Sequence, residues 1–153
     1  MAGCSVSPKE IHQFILGQLH LRLGTFIYAR NLGKIFVAPF DVVLSNTDVV
    51  QPDVIFVSNQ RSDIITANNI RGAPDLVVEI LSPATAERDK TLKLDLYAQY
   101  GVQEYWIVDP DTKSITVLVR GENGFDVAGI YAEDQTLRSP TLEGFDIALQ
   151  ELF

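Results

Sequence analysis

The chain has one cysteine in 153 residues, Cys4, which leaves no partner for an internal disulfide and no basis for a cysteine-rich zinc site. No apolar run approaches the ~18 residues of a membrane span. Met1 to Pro8 shows no basic start followed by an apolar stretch, so no signal peptide is expected. These absences point to a soluble protein of a reducing compartment, the cytoplasm, with no membrane partner. Basic residues are scarce too, with 12 Lys and Arg against 20 Asp and Glu for a net charge of −8. Coating nucleic acid through a whole surface needs clustered Lys and Arg, so that class is excluded. Phosphodiester chemistry at one metal-filled cleft is not, because a bound cation reverses the local field of the carboxylates holding it. There is no glycine-rich phosphate loop, no nucleophile elbow, no repeat and no linker.

What remains is an ordinary globular composition, 46% apolar and 21% charged. The length is that of one domain, residues 1–153, able to bury roughly two-thirds of its unfolded surface. Ile11, Phe14, Ile15, Leu19, Leu23 and Phe26 follow three-four spacing and predict a helix from Pro8 to Arg30, with Ser7-Pro8 as its start. Short apolar or β-branched runs predict strands at Ile35–Ala38, Asp41–Leu44, Val54–Val57 and Leu76–Leu81. A second helix is expected over Ala86–Tyr100, closed by Gly101. Strands Glu104–Val108, Ser114–Val119 and Phe125–Tyr131 follow, joined by hairpin loops at Asp109–Thr112 and Gly121–Gly124, and a short last helix is expected near Ile147–Phe153. The order predicts a mixed α/β (α+β) fold with C-terminal β-hairpins.

Three charges stand where packing alone would not put them. Glu79 interrupts Leu76-Val77-Val78-Glu79-Ile80-Leu81, a run apolar enough to be covered on both faces. An ionised carboxylate there costs several kcal/mol unless it is paired or binds a metal. A purely structural account would pair it with Arg71 or Arg88. Asp53 follows Pro52 at a strand start, where a simple turn would also explain it. Asp75, in a second Pro-Asp pair, lies ~13 Å from Glu79 along the same strand, too far to share an ion whose ligands sit at ~2.1 Å. Asp53, on a different strand, can lie beside Glu79 at the ~4.8 Å interstrand spacing. Lys93 is the third. At ~100° per residue, Leu92, Leu96, Tyr97 and Tyr100 span an arc of about 140° with Lys93 near its middle, pointing at the sheet. A snorkelling lysine is the alternative. Lys90, at the edge of the arc beside Tyr97, is the second lysine candidate, and Asp89 lies one turn earlier. Two carboxylates and a lysine suit phosphodiester hydrolysis. The carboxylates hold Mg²⁺, which acidifies a bound water, and the lysine stabilises the pentavalent oxyanion or orients that water.

Longer motifs carry a resemblance. Gln51-Pro52-Asp53-Val54-Ile55-Phe56-Val57-Ser58 and Gly72-Ala73-Pro74-Asp75-Leu76-Val77-Val78-Glu79-Ile80-Leu81-Ser82-Pro83 resemble signatures of the Uma-type restriction-endonuclease-like family of bacteria, abundant in cyanobacteria. So do Arg88-Asp89, Lys93, Leu96-Tyr97 and Gly101-Val102-Gln103-Glu104-Tyr105-Trp106-Ile107-Val108-Asp109-Pro110, together with Ala38-Pro39-Phe40-Asp41-Val42 and Leu137-Arg138-Ser139-Pro140. The family is placed in the PD-(D/E)XK nuclease superfamily. The resemblance therefore implies a restriction-endonuclease-like core, a mixed sheet flanked by helices. It implies that Asp53 is the aspartate of the proline–aspartate pair and Glu79 the acid of the third motif. The superfamily's lysine usually stands two residues after that acid, where this chain has Leu81, and the matching lysine is Lys93 on the next helix. Lys93 and Tyr97 stand where other branches carry a glutamine and a tyrosine four apart. Relatives usually begin with a strand pair bearing a glutamate-rich signature, and this chain starts almost at its first helix. The expectation is that the segment is absent and leaves a sheet edge that other chains could cover.

His12 matches a histidine of the family's first helix, for which the resemblance implies contact with the metal site or phosphate. Packing or capping would explain it otherwise. His20 reads as a surface residue. Asp41 is either a further acidic contributor or a strand-end residue, and Tyr105-Trp106-Ile107 read as core. The expected function is a Mg²⁺- or Mn²⁺-dependent nuclease hydrolysing nucleic acid, DNA above all. Asp53 and Glu79 are its metal ligands, Lys93 its catalytic cation, and His12, Asp41, Lys90 and Tyr97 are auxiliary. A homodimer is expected because two strands are cut by two subunits. The alternative is a catalytically inactive nuclease-fold module acting in protein association, with the polar set an internal salt-bridge network.

Overall fold

The apolar spacing of the first segment folds as helix α1, Pro8–Ala29. It ends where Asn31 turns left-handed (φ 53°) and the Leu32 N–H returns to the Ile27 carbonyl at 3.0 Å, a common helix stop. The chain continues as β1 (Gly33–Val37), β2 (Val42–Val43), β3 (Val49–Val50) and β4 (Val54–Ser58). A 3-10 segment (Asn59–Ile64), β5 (Ile70–Arg71), β6 (Leu76–Ile80) and α2 (Ala86–Tyr100) follow. Then come β7 (Glu104–Asp109), β8 (Ser114–Gly121), β9 (Gly124–Tyr131), β10 (Thr136–Arg138) and β11 (Asp146–Ala148). This computed structural model describes the backbone of residues 8–82 and 86–153 and the side chains of 9–82 and 92–153. Cys4, Ser7 and the side chains of Arg88, Asp89 and Lys90 lie outside the described residues. Among the described residues, no helix is long and apolar enough to cross a membrane.

The main sheet has the order β1-β4-β6-β7-β8-β9. Only β6 and β7 are parallel neighbours, with α2 as the crossover between them, as parallel pairing requires. All other pairs are antiparallel, so the sheet is mixed. Gly101 (φ 90°) closes α2, with both its own N–H and that of Val102 bonded to the Tyr97 carbonyl. Strand alternation separates two cores. Val54, Phe56, Leu76, Val78, Ile80, Trp106 and Val108 pack with Ile15, Leu19, Leu23 and Ile27 of α1. Val77, Tyr105, Ile107 and Leu118 pack with Tyr97 of α2. A small sheet, β3-β2-β5, covers Ile55 and Val57. The β1 edge is occupied in part, because the Tyr28 hydroxyl of α1 accepts the N–H of Ile35, the middle residue of β1, at 3.0 Å.

Four expectations are corrected. The last helix at Ile147–Phe153 is instead β11, paired with β10, and one 3-10 turn over Leu149–Glu151. The buried residues there, Ile147, Leu149 and Leu152, step by two and then by three, which fits a strand and a tight turn rather than an α-helix. The strand Asp41–Leu44 shrinks to Val42–Val43. Phe14, assigned to the buried face of α1, is exposed. Leu92, assigned to the inner arc of α2, is exposed as well, because five residues from Tyr97 it lies about 140° away around the helix.

A buried carboxylate holds the C-terminal segment. Glu104, at the start of β7 and fully buried, accepts the Trp106 indole N–H (2.6 Å), the Ser139 hydroxyl (2.8 Å) and the Thr141 amide (2.8 Å). Removing such an acceptor strands several buried donors at once. Glu104→Ala is expected to lower unfolding stability by about 3 kcal/mol, against about 1 kcal/mol for Ser139→Ala. The two are read from the shift of urea midpoints, and equal small shifts would contradict this account.

Candidate active site

Four elements meet at one end of the sheet. The β4–β6 ladder runs to Val54↔Val78, and one further rung sets Asp53 beside Glu79. Asp53 leaves the strand pattern there. Its Oδ2 accepts the Ile80 amide at 2.7 Å, and its Oδ1 accepts from His12 Nε2 of α1 at 3.0 Å. Its own carbonyl accepts the Ala38 N–H at 3.0 Å. The carboxylate is thus fixed by two strands and a helix, and stays partly open to solvent.

Glu79 points to the α2 side of the sheet, in line with Val77, and is buried. Arg71 is not among its described partners, and the side chain of Arg88 lies outside the described residues. Lys93 Nζ lies 3.0 Å from Oε2, and the Tyr97 hydroxyl donates to the same oxygen at 2.5 Å. Lys93 and Tyr97 are one helical turn apart, so both reach inward from one face of α2. The lysine ammonium is turned to the carboxylate rather than carried out to water. Burial pushes the Glu79 carboxyl up to about 6, against the lowering pull of Lys93 and Tyr97, and the neighbouring Asp53 charge adds to the rise. Tyr97 is raised well above its usual range by its own burial and by the Glu79 charge, so it remains a hydroxyl donor.

The donor set suits a hard divalent cation of limited protein coordination. Mg²⁺ is commonly held by one or two carboxylates, with waters and substrate phosphate completing its shell. Asp53 and Glu79 supply two carboxylates, and Glu79 Oε1 carries no hydrogen bond among the described residues. No group of three or more His, Cys, Asp or Glu side chains among the described residues closes on a metal, so a full protein cage is not built here.

Asp41 lies elsewhere in contact terms, accepting from Gln51 Nε2 at 2.7 Å, and His20 is exposed. Asp75 serves the far end of β4, accepting the Ser58 amide (2.6 Å) and hydroxyl (3.1 Å). Two features escaped sequence reasoning. The Tyr100 hydroxyl donates to Asp48 at 2.7 Å, joining α2 to the loop before β3. The Glu104 network had a signal in its buried run, since a second carboxylate opens Glu104-Tyr105-Trp106-Ile107-Val108. A cavity of about 520 Å³ beside the second half of α1 shares no residue with the cluster.

Comparison with known proteins gives two findings. The family model Uma2, described as "Putative restriction endonuclease", matches residues 4–150. A crystal structure described as a "putative nuclease belonging to DUF820", from Anabaena variabilis, superposes with a TM-score of 0.75 at 19% identity, covering 94% of this chain and 80% of that one. At that identity the likeness is one of fold, a nuclease-like mixed sheet with flanking helices. No curated protein matches the chain.

The Glu79 shift sets a pH dependence. A carboxyl whose folded pKa is raised from 4.5 to about 6 binds its proton more tightly when folded. It therefore contributes stability below the unfolded value, and that contribution is lost as pH rises through the folded one. Glu79→Gln has no such proton to bind. In chelator, wild-type stability relative to Glu79→Gln is expected to fall by about 2 kcal/mol between about pH 4 and pH 8. Urea unfolding at both pH values checks it, and a constant difference would contradict the burial account.

Proposed function

The chain belongs to the Uma2 family, and on that premise we propose that it is a divalent-metal-dependent nuclease hydrolysing phosphodiester bonds of nucleic acid, DNA above all, at Asp53, Glu79 and Lys93. The observation that carries the reading is the buried Glu79, one rung from Asp53 and gripped by Lys93. Evolved cores rarely keep a carboxylate at such a position without a task. The family description and the nuclease-like neighbour support the same reaction class.

Asp53 and Glu79 would hold Mg²⁺ or Mn²⁺, which supplies Lewis acidity toward the phosphate and lowers the pKa of a water. The protein's own share is orientation and charge. His12 and the Ile80 amide each take one oxygen of Asp53, so the carboxylate cannot swing away. Tyr97 holds Glu79 Oε2 and leaves the other carboxylate oxygen without a hydrogen bond among the described residues. Lys93 reaches the cluster with a partly exposed side chain. In this reading its ammonium, 3.0 Å from Glu79, stabilises the extra negative charge that develops on the phosphate in the transition state. The net charge of −8 makes substrate contact local, at this cluster, rather than through the surface at large.

Calorimetric titration with Mn²⁺ tests the metal site without a known substrate. The wild type is expected to bind stoichiometrically, and Asp53→Ala to lose that binding. On a panel of DNA and RNA with metal present, Glu79→Ala is expected to abolish cleavage while folding is retained. Lys93→Ala is expected to slow cleavage by about 100-fold to 1000-fold. Absence of metal binding in the wild type would assign the cluster to an internal salt-bridge network and the chain to protein association.

A further inference from the structure

Apolar packing alone holds α2 loosely. Among its described side chains, from Leu92 to Tyr100, only Tyr97 is buried, whereas α1 buries Ile15, Leu19, Leu23, Phe26 and Ile27. The placement of α2 therefore depends on its polar contacts. Lys93 and Tyr97 both end on one oxygen of Glu79, so together they make a single point of attachment about which a helix can still tilt. The Tyr100 hydroxyl supplies a second point, donating to Asp48 Oδ2 at 2.7 Å. Lys93, Tyr97 and Tyr100 are spaced by four and three residues and so share one face of the helix.

Asp48 is held ready to receive that hydroxyl. It closes the turn between β2 and β3. Its carbonyl accepts the Leu44 amide at 2.9 Å, its amide donates to Ser45 Oγ at 3.1 Å, and Ser45 Oγ donates to the same Oδ2 at 3.1 Å. The last turn of α2 has no basic residue, so attraction to a cation at the helix end does not account for an acid there. The β2–β3 hairpin is also the segment that leads into Asp53. It leaves the main sheet at Ala38, whose N–H donates to the Asp53 carbonyl at 3.0 Å, and rejoins it at Val54. The Tyr100–Asp48 contact thus ties the approach to one candidate metal ligand to the helix carrying the candidate cation, across 52 residues of sequence. Leu44 and Val50 of the hairpin pack against the core under α2 as well as their own, so the two elements lie side by side.

From this we infer that Asp48 and Tyr100 are positioning residues for the reaction, acting through Lys93. Their contact stops α2 from tilting about Glu79 and keeps the ammonium in register with the Asp53–Glu79 pair. Lys93 stands ~6 Å along the axis from Tyr97, so a tilt of ~10° about Tyr97 moves its backbone by ~1 Å. A misplacement of that size can cost about 100-fold in rate.

Cleavage kinetics and urea unfolding of the full chain test this together. Tyr100→Phe keeps the ring and loses the hydroxyl. It is expected to lower kcat between about 10-fold and 100-fold with little change in KM and an unchanged circular dichroism spectrum. Asp48→Ala is expected to do the same, and Asp48→Asn, which keeps an acceptor oxygen, to recover most of the loss. In a Lys93→Ala background Tyr100→Phe is expected to slow cleavage no further. An equal loss in both backgrounds makes the contact merely structural and overturns the inference. This first measurement rests on the nuclease reading, and the second does not. Urea midpoints are compared for Tyr100→Phe, Lys93→Met and the double variant. Residues about 10 Å apart with no shared partner normally give additive changes. Here the shift of the double variant is expected to be smaller than the two single shifts added, because each contact holds the helix on which the other depends. Additive shifts overturn the inference whether or not the chain cleaves. A wild type that cleaves no nucleic acid overturns the nuclease reading, and the unfolding comparison alone then decides whether Tyr100 and Asp48 place Lys93.

Discussion

Glu79 sits in a strand whose every residue is buried, and the cost of that charge organises the α2 side of the molecule. The carboxylate could not stand there alone, because desolvation of an ion outweighs most single contacts. α2 supplies a cation and a hydroxyl from one helical turn, and both fall on one oxygen. That demand fixes the rotation of α2 over the sheet, since Lys93 and Tyr97 must both face inward while Leu92 is turned out. The β6–α2–β7 crossover then has its helix pinned by a polar contact as well as by the Tyr97–Tyr105 edge-to-face packing at 4.9 Å.

Much of this was legible in the residues themselves. Glu79 announced itself as a charge in an apolar run, and Lys93 as a cation in the inward arc of α2. The separation of Asp53 from Asp75 followed from strand geometry, and the register bears out that only Asp53 lies a rung from Glu79. The bounds of α2 and the Gly121–Gly124 hairpin followed from local signals whose physics is short-ranged. What escaped was decided by distant parts of the chain. Ile147 and Leu149 belong to a strand and a turn because Leu137 and its neighbours pair with them. Phe14 fits the apolar spacing of α1 as well as Ile15 does, and only the position of the sheet decides which is buried. The grip of His12 on Asp53 joins residues 41 apart in sequence; no local pattern encodes that proximity, and only the family resemblance pointed to His12 beside the metal ligands.

Carboxylates bracket the scaffold beyond the candidate site. Asp75 fixes the turn after β4 by receiving both the amide and the hydroxyl of Ser58. Glu104 ties β7 to the Ser139–Leu142 turn through donors that are themselves buried or half-buried. In each case a carboxylate at a strand end takes donors, an amide among them, that the strand ladder leaves unpaired. The strands beneath Asp53 and Glu79 are thereby held at both ends. Such rigidity lets two carboxylates keep a fixed separation without a metal between them.

The contact between Tyr28 and Ile35 has a consequence for solution behaviour. A six-stranded sheet has two borders, and each unpaired border can recruit a strand from another molecule. At β1 the hydroxyl of Tyr28 occupies the central outward amide, which makes that border a poor template. The opposite border, β9, pairs only with β8 among the described strands. Sheet extension is therefore one-sided. A molecule with one competent border can join one other and then has nothing left to offer, so strand-to-strand growth terminates at a pair instead of running on into a fibre.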